Sequence, residues 1–174
     1  GESCFDLEDS KESKKSLMCG RAFGKPLKEL DDIRPALTHF VHNAVARLWK
    51  NKQKTSAITV YLCTNHFRKN IAQRDVSSSV EIEATDDIIK LNTVAQRVLE
   101  KVFKYGFEYH KVGILLHDLV LVKNSPISFF EMESVSKNSP ELVRVIESIN
   151  KKFGRYTLIS ASSSGSSKWK ARSK

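Results

Sequence analysis

KVGILLHDL, residues 111–119, decides the fold, because it has the composition of a buried strand and follows a long amphipathic segment. One position breaks its apolar run. Gly113 stands where a strand prefers a side chain, and a glycine there often marks close approach of another backbone or a ligand. Alternation predicts that Ile114 and Leu116 face the core while Lys111 and Gly113 face the other way. We expect this last strand to span about residues 108–119.

Three further strands are indicated upstream, at residues 14–24, 56–65 and 76–84. The second alternates strictly, with Ile58, Val60 and Leu62 on one side and polar or small residues on the other. The third places Val76, Ser78, Val80 and Ile82 inward, and it places outward Ser77, Ser79, Glu81 and Glu83. One side of the sheet is therefore apolar and the other is not.

Two helices are predicted from apolar residues at three-and-four spacing, over 31–52 and from about residue 85 to Gly106. Asp31 or Asp32 is expected to cap the first helix. Thr85 or Asp86 is expected to cap the second, and Gly106 to end it.

The order β-α-β-β-α-β predicts an α+β fold, a mostly antiparallel four-stranded sheet with both helices on one face. The other face is expected to stay open. We expect small polar residues on this face and a basic edge around it. The face would carry Thr59, Ser77, Ser79 and Gly113, and its edge Lys15, Arg21, Arg68, Lys69 and Lys111.

Changes in composition divide the chain into four parts. Residues 1–13 are a polar linker, 14–122 the folded domain, and 123–138 a second linker that holds Ile127, Phe129 and Phe130. Residues 139–174 form a C-terminal segment, helical at first and irregular or strand-like afterwards, which ends in a basic tail.

Charge favours a polyanionic partner, since 29 Lys and Arg stand against 20 Asp and Glu in 174 residues, a net charge of +9. Two alternatives remain at this point: a protein-interaction module with an incidental basic face, and an RNA-binding α+β domain. No run approaches the ~20 apolar residues of a membrane span. Three cysteines without a CxxC pair suit a reducing compartment, so a cytoplasmic fragment is expected.

No catalytic or metal constellation is predicted. The pairs at 31–32 and 86–87 stand at helix starts, where carboxylates cap free N–H groups. His39 and His42 occupy different faces of the first helix and lack a third ligand nearby. Cys63 has no fixed base partner and is interpreted as a passive thiol.

Several runs, in order and spacing, resemble the little finger domain of Y-family translesion DNA polymerases, in particular the UmuC-like branch. They are SLMCGRAFG, ITVYLCTNHF, VEIEATDDIIKL and GFEYHKVGILLHDL. The Gly20–Gly24 run matches a family Ser-Arg-Ser-Phe-Gly run, with Gly20 and Ala22 in place of the serines. The segment from Glu141 also resembles the C-terminal segment of the same branch, so the likeness covers about residues 14–172.

The resemblance implies a non-catalytic fragment that grips template-primer DNA through its open sheet, within an error-prone polymerase of DNA repair and the SOS response. The catalytic palm, which would use Mg²⁺, is absent from the runs matched, so no cofactor is expected here. A sliding-clamp peptide is implied at Ile127, Phe129 and Phe130, with Pro126 where the family has Gln. A UmuD-like protein and RecA are implied partners, and the bacterial cytoplasm the location. The implied DNA contacts are Lys15, Ser16, Arg21, Thr64, Asn65, Arg68, Lys111 and Gly113.

Overall fold

The computed structural model describes residues 15–67 and 72–122, with Val145, Ser148, Ile149, Lys152 and Trp169 in addition. The described elements follow the predicted order. They are β1 (Ser16–Leu27), α1 (Leu30–Asn51), β2 (Gln53–Thr64), β3 (Asp75–Thr85), α2 (Ile88–Val102) and β4 (Tyr109–Leu121). No described helix is long and apolar enough to cross a bilayer.

The strands form one four-stranded sheet in the order β1-β4-β2-β3. All three neighbouring pairs are antiparallel. β4, the strand that contains the quoted stretch, lies in the interior of the sheet, since it pairs with β1 on one edge and with β2 on the other. The predicted α+β fold with a mostly antiparallel sheet is confirmed.

Both helices pack on one face of the sheet and build the core there. Ile58, Val60 and Leu62 of β2 are fully buried beneath them, as are Ile114 and Leu116 of β4. Burial of each such side chain stabilises the fold by about 1.5–3 kcal/mol. The assignment of these five residues to the core, made from alternation alone, is confirmed.

The two helices run antiparallel, as polar contacts at both ends show. Arg34 near the start of α1 donates to Glu100 near the end of α2 at 2.7 Å. At the other end of the pair, the Trp49 indole donates to the carbonyl of Asp86 at 3.1 Å. Trp49 is thus a packing residue at the rim of the core.

The helix ends differ from the prediction. α1 begins after Glu29, whose side chain makes no cap hydrogen bond, so Asp31 and Asp32 lie in the first turn and favour the helix dipole instead of capping. α2 is capped by Asp87, whose carboxylate accepts from the N–H groups of Ile89 and Lys90.

α2 also ends earlier than predicted, at Val102. Phe103 turns to extended backbone there, and its ring packs against that of Tyr109 with centroids 5.5 Å apart. Gly106, at φ 88°, lies in the turn before β4 and does not end the helix. The apolar contact of Phe103 therefore stops the helix before the glycine is reached.

The C-terminal segment contributes a few described residues. Val145, Ser148, Ile149 and Lys152 are helical, in agreement with the helix predicted there. Trp169 is 9 % exposed and packs on α1, its ring centroid 5.8 Å from that of Phe40. The linkers at 1–13 and 123–138, with Ile127, Phe129 and Phe130, lie outside the described residues.

Candidate nucleic-acid interface

The face of the sheet opposite the helices is the candidate site. Strand register defines it, because residues directly opposite one another on antiparallel strands share a face. Four cross-strand rows, each written from β1 to β3, make up this open face. They are Ala22–Lys111–Cys63–Asp75, Gly20–Gly113–Tyr61–Ser77, Met18–Leu115–Thr59–Ser79 and Ser16–His117–Ala57–Glu81.

Gly113 meets a side chain of its own protein. A Cβ built on Gly113 would collide with the ring and hydroxyl of Tyr61, and one built on Gly20 would collide with the same hydroxyl. The Tyr61 side chain therefore lies across β4 towards β1, in a trough formed by the two paired glycines. The sequence indicated a close approach at Gly113 and did not identify Tyr61 as the partner.

Lys111 stands beside this ring. Its ammonium nitrogen lies 5.5 Å from the Tyr61 ring centroid, within the range of a cation–π interaction. Lys111 and Tyr61 are both partly exposed. Burial raises the pKa of the Tyr61 phenol, and the thiols of Cys63 and Cys19 add to the rise. The phenol is therefore neutral at physiological pH and does not neutralise the lysine.

A chain of polar side chains crosses the middle of the open face. Thr59 Oγ1 lies 2.7 Å from Ser79 Oγ and 2.6 Å from His117 Nε2. These contacts link three strands and fix the rotamers of all three residues. The Thr59 hydroxyl is largely used within the sheet, whereas Ser77 and Ser79 remain exposed.

Charge is distributed unevenly over the open face. Outward positions of β3 carry Asp75, Glu81 and Glu83, and all three are exposed. Lys15 precedes β1 and Lys111 lies on β4, so these cations lie on the β1–β4 half of the sheet, away from β3. A polyanion would be attracted to the β1–β4 side and repelled from β3.

Register places Arg21 differently from the sequence interpretation. It pairs with Val112, which is fully buried beneath the helices, so Arg21 belongs to the helix-facing side of β1. It is exposed there because β1 is an edge strand. The expectation that Arg21 shares a surface with Lys111 was wrong in this respect, since its strand position has the opposite parity.

Two other predicted contact residues help to close the β2–β3 loop. Thr64 is 4 % exposed, and its hydroxyl accepts from the N–H of Arg74 at 2.8 Å. Asn65 accepts from the N–H of Phe67 through its side-chain oxygen. Arg68 and Lys69 lie outside the described residues. Lys15 and Ser16 are exposed at the far end of β1 from Lys111.

The base of this loop is held by His66. Its Nε2 lies 2.6 Å from Asp75 Oδ2 and its Nδ1 lies 3.2 Å from Gln73 Oε1. Both neighbours are acceptors, so both ring nitrogens are favoured as donors. The hydrogen bond to Asp75 is the largest cause of a raised His66 pKa.

The site contains no activated nucleophile among its described residues. Burial raises the pKa of the Cys19 and Cys63 thiols, which keeps them protonated. Within 15–67 and 72–122, no group of three His, Cys, Asp or Glu side chains is placed to hold a metal ion. The arrangement on the β1–β4 side suits binding of an anionic polymer.

Comparison with known proteins gives the family. Residues 14–129 match the model of the impB/mucB/samB family C-terminal domain. The chain is 26 % identical over 170 residues to Protein UmuC of Salmonella typhimurium, covering 97 % of this chain and 40 % of that protein. It is 27 % identical over 153 residues to Protein MucB of the same species, covering 87 % and 36 %. The chain thus spans about two-fifths of the length of these relatives.

Solved structures give the fold. The DinB structure from Sulfolobus solfataricus superposes with a TM-score of 0.51 at 13 % sequence identity, covering 61 % of this chain and 29 % of that one. A post-insertion binary complex of Dbh DNA polymerase gives the same TM-score, identity and coverage.

Proposed function

Because the chain belongs to the impB/mucB/samB family through its C-terminal domain, we propose that its open sheet face binds the sugar-phosphate backbone of primed duplex DNA. One observation carries the proposal. The described helices both pack on the opposite face, while no described element covers the open face, which has Lys111 near one end and Lys15 beside the other.

Membership confirms the resemblance predicted from the sequence, to the UmuC-like branch of the Y-family translesion polymerases. The matched domain is the C-terminal one of the family. For the whole protein we propose DNA-directed DNA synthesis with Mg²⁺ past damaged template, as part of DNA repair and the SOS response in a bacterial cytoplasm. This chain would contribute grip on the DNA and no catalytic groups.

The spacing of the cations fits a duplex. Lys111 pairs with Ala22 of β1, and Ser16 lies six residues earlier, so the two ends of the face are about 20 Å apart. A B-DNA major groove is ~12 Å wide. The two ends therefore reach the backbones on both sides of one groove. Contacts to backbone supply affinity without reading sequence.

The acidic outward side of β3 limits the footprint. Glu81 is two strands from β4, which at ~4.8 Å per strand places it roughly 10 Å from a phosphate above β4. That distance is about one Debye length at 0.1 M salt. We propose that the duplex lies over β1, β4 and the near side of β2, and that β3 marks its boundary.

The contact set proposed from the sequence is adjusted to these positions. Ser16 and Lys111 remain as contacts on the open face. Lys15, which precedes β1 and has the strand parity of Arg21, would reach a phosphate around the edge of β1, as would Arg21. Thr64 and Asn65 shape the loop beside Lys111, with Arg68 proposed as a further contact. Gly113 would act indirectly, because it leaves room for the Tyr61 ring that lies over it.

Fluorescence anisotropy with labelled primer-template DNA tests the proposal. Lys15→Ala and Lys111→Ala should each weaken binding for all DNA sequences and lower the slope of log K against log salt by about 0.9. Lys90→Ala, an exposed lysine of α2 on the helix layer, is the matched control and should change the affinity much less. Equal losses of DNA affinity in the three variants would overturn the assignment of DNA binding to the open face.

The two alternatives from the sequence give different outcomes in the same assay. An RNA-binding domain would prefer single-stranded RNA to primed DNA at every salt concentration. A protein-interaction module with an incidental basic face would bind none of the nucleic acids even at ~50 mM salt, where phosphate contacts are strongest.

Partner docking is part of the proposal for the remaining segments. Ile127, Phe129 and Phe130 would fill an apolar pocket of a sliding clamp, and residues 139–174 would meet a UmuD-like protein, with RecA as a further partner. A Phe129→Ala/Phe130→Ala variant should lose retention on immobilised clamp while keeping its affinity for DNA. Unchanged retention would remove these aromatics from the clamp contact.

A further inference from the structure

The Tyr61 side chain occupies the trough between Gly20 and Gly113, which face each other on β1 and β4. Side chains at these two positions would collide with the phenol. Both glycines are therefore required for the ring to lie down on the sheet. A ring in this orientation gives Lys111, two residues before Gly113, an aromatic surface beside its ammonium group.

We propose that Tyr61 is the positioning residue that holds the Lys111 ammonium at the height and place where a DNA phosphate meets the open face. The inference rests on the proposed function and assigns a role to a residue that the sequence analysis left outside the site. The ammonium nitrogen lies 5.5 Å from the ring centroid. A lysine has four rotatable bonds in its side chain, and a fixed neighbour reduces the entropy it loses on binding a phosphate.

The aromatic ring, and not the hydroxyl, provides this role. Tyr61 Oη is buried against the two glycines and has no hydrogen-bond partner among the described residues. A buried hydroxyl without a partner adds no favourable contact. The ring carries the negative quadrupole that attracts a cation, and phenylalanine has that property as well.

The charged groups facing Lys111 leave it available. Cys63, its partner on β2, is kept as a neutral thiol by burial. Asp75, next in the same row, lies two strands away and is bound by other groups: its Oδ2 lies 2.6 Å from His66 Nε2, and its Oδ1 accepts from the N–H of Thr64. The ring of Tyr61 is thus the neighbour that orients the ammonium group.

The test compares Tyr61→Phe with Tyr61→Leu in the full chain. In NMR spectra of the free protein, the ε-methylene protons of Lys111 should show an upfield ring-current shift in the wild type and in Tyr61→Phe, and lose it in Tyr61→Leu. In anisotropy titrations with primed DNA, Tyr61→Phe should bind like the wild type. Tyr61→Leu should bind about three- to tenfold more weakly, the range of one cation–π contact.

A double-substitution cycle separates positioning from general loss of structure. If Tyr61 acts through Lys111, then Tyr61→Leu should weaken binding far less in a Lys111→Ala background than in the wild type. Tyr105→Leu, at another exposed aromatic, is the matched control and should leave both readouts unchanged. If Tyr61→Leu does not fold, Tyr61→Met supplies a flexible side chain of similar length without a ring.

The possible failures are distinguishable. Absence of DNA binding by the wild type would overturn the proposed function, and the ring-current shift would still report whether Tyr61 holds Lys111. Wild-type affinity in Tyr61→Leu, equal Lys111 shifts in all variants, or a loss of binding in Tyr61→Phe would each overturn the positioning role.

Discussion

At Gly113, the side chain of Tyr61 replaces the one that glycine lacks, and this pairing determines how the position responds to substitution. Gly113→Ala would place a methyl group inside the ring and force it to move. Overpacking of this kind costs about 1–3 kcal/mol. Urea unfolding should therefore show a lower midpoint for Gly113→Ala with little change in slope.

The collision also predicts a rescue. Combining Gly113→Ala with Tyr61→Ala removes the ring that the methyl group meets, so the double variant should be more stable than the sum of the single losses predicts. Simple additivity would show that the glycine is required for a reason other than Tyr61.

The raised pKa of His66 predicts that the stability of the folded protein depends on pH. Its pKa is raised in the folded protein, chiefly by the hydrogen bond to Asp75. The protonated form thus stabilises the folded state below about pH 6.5, the unfolded value, and the contribution is lost as pH rises through the folded pKa. The stability difference between wild type and His66→Gln should accordingly be largest at acidic pH and shrink towards neutral and alkaline pH.

NMR titration of the His66 ring checks whether the hydrogen bond to Asp75 causes the raised pKa. Asp75→Asn should move its pKa down towards the ordinary value, while Glu81→Gln, also on β3 but not bonded to His66, should leave it unchanged. An unshifted His66 in the wild type would remove Asp75 as the cause.

At the scale of elements, alternation and helical spacing were enough to find all six described elements and the inward side of β2, β3 and β4. Strand period is strict, so Ile58, Val60 and Leu62 had only one side to occupy once burial was assumed. Helix ends were not predictable in the same way, because Asp86 and Asp87 offer equivalent caps in sequence and the packing of Phe103 ends α2 before Gly106.

For a related reason, the sequence could not show on which face of the sheet Arg21 lies. An edge strand exposes residues on both sides, so alternation of burial breaks down where β1 carries glycines and charges. Tyr61 over the glycine pair was equally hidden, since the contact joins three strands whose register is set only in the folded sheet.

The cap of α2 gives a prediction at this scale. Asp87→Ala removes the acceptor for two free N–H groups and should lower the free energy of unfolding by about 1 kcal/mol, whereas Asp87→Ser should retain most of it. Asp31→Ala in the first turn of α1 is the control and should cost less, because that carboxylate accepts no cap hydrogen bond. Thermal unfolding followed by circular dichroism measures all three.

The acidic outward side of β3 gives a further prediction at the scale of elements. Replacing Glu81 and Glu83 with Gln should raise the affinity for primed DNA by roughly two- to threefold at low salt, and the gain should fade as the Debye length shortens. Asp31→Asn/Asp32→Asn, which removes the same two charges from the helix layer, should give a smaller gain. Equal gains would mean that net charge alone, and not the position of β3, controls the effect.

At the scale of the whole molecule, Trp169 links the C-terminal segment to the domain. Its ring packs against His39 and Phe40 of α1, with centroids 4.9 and 5.8 Å apart. Trp169→Ala should destabilise the domain by about 3 kcal/mol through the cavity it leaves. Chemical denaturation of this variant should show a lower midpoint, and an unchanged midpoint would show that Trp169 leaves α1 in solution.

The contact places Trp169 on the helix layer, away from the open face. If DNA binds the open face as proposed, a partner that contacts Trp169 would approach the opposite side of the sheet, so both could be bound together. The net charge of +9 favours a polyanionic partner for the molecule as a whole, and the register of the strands is the basis for proposing the open face as the side that binds DNA.

The most direct test is therefore an NMR chemical-shift map of the isotope-labelled protein titrated with primed duplex DNA. We predict the largest shifts at Gly20, Gly113 and Lys111, with smaller shifts at Ser77 and little change along the exposed sides of α1 and α2. Shifts concentrated on the two helices, with the open-face glycines unmoved, would contradict the account.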